Sequence, residues 1–211
     1  DNVGDNVGDV AGMGSDLFDS YVASIVAVMI LGREMVPAGM NIPLVFAGLG
    51  ILASVIGVAV VRVGKKGNPG KALNWGTYLT CIIFAVLTYV VANYLQYDIR
   101  IWEATMVGLI SGVIIGITTD YFTSIDRSPA IKTAESSKTG AAINIISGFS
   151  YGLISTVPSL LGIAIASFVA YALYGFYGVG MSAVGMLAIV GMIIAGDAYG
   201  PVSYTHLTLP T

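Results

Sequence analysis

Apolar runs of about 20 residues recur along the chain, each bounded by charge or by Gly, Pro and Asn, and about 20 helical residues cross a hydrocarbon core of about 30 Å. Their positions predict six membrane-spanning helices, at 9–32, 42–63, 75–95, 104–122, 143–174 and 181–195. Pro158 falls inside the fifth, where a proline is expected to kink a membrane helix rather than end it. The predicted fold class is all-α, a polytopic transmembrane helical bundle.

The segments between the runs alternate sides. Arg62, Lys65, Lys66, Lys71, Arg127, Lys132 and Lys138 fall on one side, and only Arg33 and Arg100 on the other. Such a bias over short loops marks the first side as cytoplasmic. The acidic N-terminal segment and the segment carrying Asp197 then emerge on the same, cytoplasmic, face. Trp75 and Trp102 lie near predicted span ends, where interfacial anchoring is expected, and Gly185 and Gly191 suit close helix packing. The stretch GKKGNPGK at 64–71 reads as a flexible basic turn; it lacks the GxxxxGK[ST] spacing and a preceding strand, so it is no P-loop. The long polar stretch SIDRSPAIKTAESSKTGAA, 124–142, either caps the neighbouring helices or contacts an anion.

Composition agrees with the pattern. Hydrophobic residues make up 56% of the 211 and charged ones 10%, against about 25% charge in an average soluble domain. A net charge of −3 offers no basic field for nucleic acid, and neither disorder nor a coiled coil fits so apolar a chain. Cys81, the one cysteine, permits no internal disulfide and no cysteine-based metal cage. The chain starts in a polar repeat without Met or signal-peptide features, and an internal fragment is expected.

Charge matters most where it is concentrated. Asp1, Asp5, Asp9, Asp16 and Asp19 fall within the first nineteen positions. On one α-helix at about 100° per residue they share an arc of roughly 80°, a carboxylate stripe roughly 27 Å long. The next two positions on that face are Ala23 and Ala27. Like charges at i,i+4 repel, and a carboxylate in hydrocarbon is expensive, so a purely structural reason for the stripe is poor. At its shallow end the repeat DNVGDNVGD offers hard oxygen ligands with close backbone approach, which suits Mg²⁺; the spacing excludes an EF-hand. Asp16 and Asp19 lie deeper, where ion or proton handling is the first expectation and pairing of Asp19 with a basic residue on another helix is the alternative. A hydrolytic metal site above an ionisable relay suggests phosphoryl chemistry coupled to ion movement.

The run DNVGDNVGDVAGMGSDLFDSY at 1–21 closely resembles the signature of the membrane-bound, ion-translocating inorganic pyrophosphatases. AESSKTGAAINIISGFSYGLIST at 134–156 and GDAYGPV at 196–202 are similar to two further segments of that family, in family order. The resemblance implies hydrolysis of pyrophosphate to two phosphates, coupled to cation pumping out of the cytoplasm by a homodimer of about sixteen helices per subunit, embedded in membrane lipid. It implies a multi-pass protein of a prokaryotic cell membrane with its active site facing the cytoplasm. Mg²⁺ is the implied cofactor, with K⁺ required in one subfamily. By the same resemblance Asp1, Asp5 and Asp9 belong to the Mg²⁺–pyrophosphate site, and Asp9 helps to orient and deprotonate the attacking water. Asp16 and Asp19 fall in the ion-coupling region, and Asp197 matches an acidic position near the next active-site motif.

Two departures from the family pattern stand out. Members carry a glutamate at the position of either Ala23 or Asp19; the alanine and the shorter aspartate here favour H⁺ over Na⁺. After Pro201-Val202 the chain reads SYTHLTLPT where relatives continue into an acidic motif, so positions 1–202 are expected to be the native central part and 203–211 a foreign tail. His206 lies in that tail and is given no catalytic role. A piece with only these ligands is expected to be inactive by itself. The rival reading is a secondary cation transporter or channel using the acidic helix without hydrolysis, but it gives no reason for three aspartates at i,i+4 at the helix mouth.

Overall fold

A computed structural model of the chain describes residues 4, 6–35, 39–61, 69–124 and 127–197. Helix dominates, with no strand among the described residues. A π-helical segment, Asn6–Gly12, runs directly into α1 (Met13–Met35). Then follow α2 (Asn41–Val60), α3 (Pro69–Tyr94) and α4 (Ile99–Thr123). The polar stretch after α4 forms a short helix, α5 (Ser128–Ser136), and a 3₁₀ turn, Ser137–Thr139, before α6 (Ala141–Leu187) and α7 (Val190–Asp197).

Among the described residues, five helical stretches are long and apolar enough to cross a membrane. The last of them, Ala141–Gly196, is 56 residues long, enough for two passes. Its helix breaks at Tyr174 (φ −149°, ψ 34°) and Gly175 (φ 59°, ψ −150°). Before the break Gly162 lies against Ser111 and Ile115 of α4; after it, Gly108 lies against Ser182 and Gly112 against Met186. Residue numbers thus run antiparallel to α4 in the first arm, 141–173, and parallel in the second, 176–187. The six predicted passes are therefore present, the fifth and sixth joined by a two-residue reversal. Pro158 leaves its arm helical, with Ser155 Oγ and Thr156 Oγ1 donating to the carbonyls of Gly152 and Leu153 in the turn before it.

In lipid, helices gain little from hiding aliphatic side chains from one another, so close backbone approach and hydrogen bonds hold the bundle. A Cβ on Gly108 would collide with the Ser182 carbonyl, and one on Gly185 with the Thr105 carbonyl, so α4 and the second arm of α6 pack at backbone distance. Gly191 lies against Ser54, and Gly50 against the Ala188 carbonyl, bringing α2 onto the junction of α6 and α7. Trp102 Nε1 donates to Thr88 Oγ1 (3.1 Å) and Ala85 O (3.3 Å), tying α4 to α3 rather than standing free in the interface. Trp75, at 75% exposure near the start of α3, fits the anchoring role.

The described basic residues sort between the two ends of the bundle as the alternation predicts. One end gathers Val28, Ile42, Ala92, Ile101 and Tyr177, with Tyr97 and Tyr174 packed against them, close to Arg33 and Arg100. Arg127, Lys132 and Lys138 belong to the opposite end, on and around α5. Arg62, Lys65 and Lys66 lie outside the described residues. The stretch 124–142 serves as structure: Pro129 is buried, and the Ser136 hydroxyl donates to Thr133 O and pairs with Asn144 Oδ1 of α6 at 3.0 Å.

Candidate functional site

The acidic helix is built differently from a single regular α-helix. Its first described turns, Asn6–Gly12, are π-wound, a rare geometry that advances fewer degrees per residue than an α-turn and recurs at functional sites. The arc of roughly 80° reckoned for uniform α-helix therefore does not carry across Asp9 to Asp16. Asp1 and Asp5 lie outside the described residues, as does the side chain of Asp9, whose backbone sits in the π segment.

Asp16 and Asp19 stand in the first turns of α1, inside the apolar stretch Val10–Glu34 that is long enough to cross a membrane. Both are exposed, and so are their neighbours Phe18, Val22, Ala23, Val26 and Ala27. The opposite face carries Leu17, Tyr21, Ile25 and Val28, with Tyr21, Ile25 and Val28 buried. Tyr21 and Ile25 pack with Ala47 of α2 and Val190 of α7, and Val28 meets Gly180 on the second arm of α6. The bundle thus grips α1 by one side and leaves the carboxylates on the other.

The π segment touches α7, whose last residue is Asp197; that side chain lies outside the described set. The two acidic segments, separated by nearly the whole chain, meet at one end of the bundle, as the topology predicted. Gly4, Gly8 and Gly14 open onto free space, where an added Cβ would meet nothing within 4 Å. Among the described residues no three His, Cys, Asp or Glu side chains converge as a metal cluster.

One acidic position escaped the sequence reading. Asp120, near the end of α4, lines a crevice of about 510 Å³ with Asn74 and Thr77 of α3, Ser124, Arg127 and Ile193 of α7. No ion pair joins Asp120 to Arg127 among the described residues. The signal was available, since an ionisable residue near the end of an apolar run invites attention.

Comparison with known proteins agrees with the motifs. A Clostridium tetani protein bearing the name of a K(+)-stimulated pyrophosphate-energized sodium pump is 42% identical over 213 residues, covering 96% of this chain and 32% of the relative. A Methanosarcina mazei protein named as a K(+)-insensitive pyrophosphate-energized proton pump is 39% identical over 214 residues, with the same two coverages. Proton pump 2 of Moorella thermoacetica, likewise K(+)-insensitive and pyrophosphate-energized by name, is 38% identical over 220 residues. The chain spans about a third of the length of the curated relatives it matches. The helical bundle, the aspartate repeat at the mouth of α1 and a family match over residues 1–205 agree: this chain belongs to the inorganic H⁺ pyrophosphatase family.

Proposed function

We propose that the full-length protein hydrolyses inorganic pyrophosphate to two phosphates and uses the free energy to pump cations across the membrane. The observation that supports this most is the placement of Asp16 and Asp19 inside a membrane-crossing stretch that follows the aspartate repeat, on the side of α1 turned away from α2 and α7. A buried structural helix has no use for that arrangement, whereas a pump needs ionisable groups below its hydrolytic site.

In this reading Asp1, Asp5 and Asp9 hold Mg²⁺–pyrophosphate, the metal neutralising phosphate charge. Asp9 takes the proton of the attacking water as general base. Asp16 and Asp19 carry the coupled ion, and Asp197 stands near the phosphate end without a ligand role. The basic end of the bundle faces the cytoplasm, so the substrate enters from there. The working unit is a homodimer in a prokaryotic cell membrane. Relatives bear names of both K⁺-stimulated and K⁺-insensitive pumps and of both ions. The combination of Asp19 and Ala23 supports H⁺, because it offers one short carboxylate and no second oxygen ligand a turn below.

The test uses the full-length protein in sealed vesicles with its cytoplasmic face outward. Adding Mg²⁺ and pyrophosphate should release phosphate and acidify the lumen with no Na⁺ present. Phosphate release without any ion gradient would refute the pump, and accumulation of ²²Na⁺ in place of acid would reassign the ion.

A further inference from the structure

We propose that Tyr21 is a positioning residue for ion coupling: its hydroxyl sets the rotation of the acidic end of α1 that turns Asp16 and Asp19 away from α2 and α7. The inference rests on the pumping function proposed above.

Tyr21 Oη donates to the carbonyl oxygen of Ala47 at 2.8 Å, and both residues are buried, at 5% and 4% exposure. On an α-helix Tyr21 lies roughly 140–160° around from Asp16 and Asp19, so the bond and the carboxylates occupy opposite sides. A membrane helix cannot rely on amphipathicity to choose its rotation, because lipid tails and aliphatic side chains are equally apolar neighbours. Around Tyr21 the contacts are aliphatic: Leu17, Ile25, Met29, Leu187, Val190 and Ile194. These tolerate sliding and rotation, whereas a hydrogen bond to a fixed carbonyl does not. Ala47 lies in the regular interior of α2, so its oxygen cannot follow a turning α1. Farther along, α1 is also held by close packing of Gly32 against Gly39 and of Val28 against Gly180, so losing the hydroxyl loosens the rotation of the acidic end of α1 in particular, without removing any apolar contact.

A second bond of the same kind supplies the control. Tyr177 Oη donates to Gly39 O at 2.8 Å, again buried, but at the other end of the bundle, between the second arm of α6 and the turn after α1. This pair lies against Gly32 at the far end of α1, about 20 Å along the axis from Asp19, so its loss should weaken that end of the bundle and leave the acidic end, held by Tyr21, in place.

The experiment compares full-length wild type, Tyr21→Phe and Tyr177→Phe in sealed vesicles, measuring phosphate release, ions moved per pyrophosphate and Tm. Both substitutions keep the ring, so both proteins fold. Tyr21→Phe should hydrolyse pyrophosphate within about twofold of wild type yet move about threefold fewer ions per turnover, the scale of one lost hydrogen bond. Tyr177→Phe should lower Tm by a similar amount and leave the ratio at the wild-type value. An unchanged ratio in Tyr21→Phe, or an equal fall in Tyr177→Phe, would overturn the positioning role. A wild-type protein that releases phosphate but moves no ions would instead overturn the pumping function, and this inference with it.

Discussion

Gly108 of α4 lies so close to the Ser182 carbonyl of α6 that a methyl group on it would collide with the oxygen. One turn away the relation is reciprocated, Gly185 lying against the Thr105 carbonyl. Neither obstacle is a movable side-chain tip, so the collision must be relieved by the helices themselves. Gly108→Ala and Gly185→Ala should each destabilise the bundle by about 1–3 kcal/mol, read as a fall in Tm in detergent. Gly116, where an added Cβ meets nothing, should accept alanine without loss.

Gly140 (φ 132°, ψ 157°) and Gly175 (φ 59°, ψ −150°) hold backbone conformations nearly closed to other residues. Gly140 opens α6 and Gly175 reverses it. Alanine at either should cost about 1–3 kcal/mol although both sites have open space for a Cβ. Tm again decides, and an unshifted value would contradict the backbone geometry.

Asp9→Ala should leave the full-length protein inserted and folded but reduce phosphate release by about 10²-fold or more, the range for loss of a general base. Asp9→Asn should do no better, since the amide keeps the size and loses the base. Chelation of Mg²⁺ should stop wild-type release. Undiminished turnover in Asp9→Ala would remove that residue from the reaction.

Asp16→Asn and Asp19→Asn should separate the two halves of the function. Ion uptake into vesicles should fall more than phosphate release in both, because these carboxylates lie below the hydrolytic site. Equal falls in both quantities would place them in hydrolysis instead.

Much of the fold was legible because hydrocarbon thickness imposes a length on every pass, and the basic residues sort by end. Boundaries were less so. The third helix begins at Pro69 and its apolar stretch at Ala72, ahead of the predicted 75, because the polar run GKALN lowers hydropathy while Pro suits the first helical position. The fourth begins at Ile99 rather than 104, capped by Asp98, whose carboxylate accepts from the Arg100 N–H at 3.0 Å. The interruption between α6 and α7 has no signature in the apolar run LAIVG; it coincides with the close approach of Ala188 to Gly50. Of the site, the approach of the N-terminal segment to the helix that ends in Asp197 could be read from sidedness. The π winding could not, because period alone presumes an α-helix, and nothing in the sequence marks Tyr21 as a donor to a neighbouring helix. The tail Ser203–Thr211 lies outside the described residues.

The reversal at Tyr174–Gly175 also bears on how the protein is made. With only two non-helical residues between the arms, no polar loop has to cross the bilayer behind the fifth pass. The two arms reach the far interface together, and the buried contact between Gly178 and the Ala170 carbonyl closes the hairpin at its tip. Insertion of the two arms as a pair, packed against α4 along both, is the route this geometry favours.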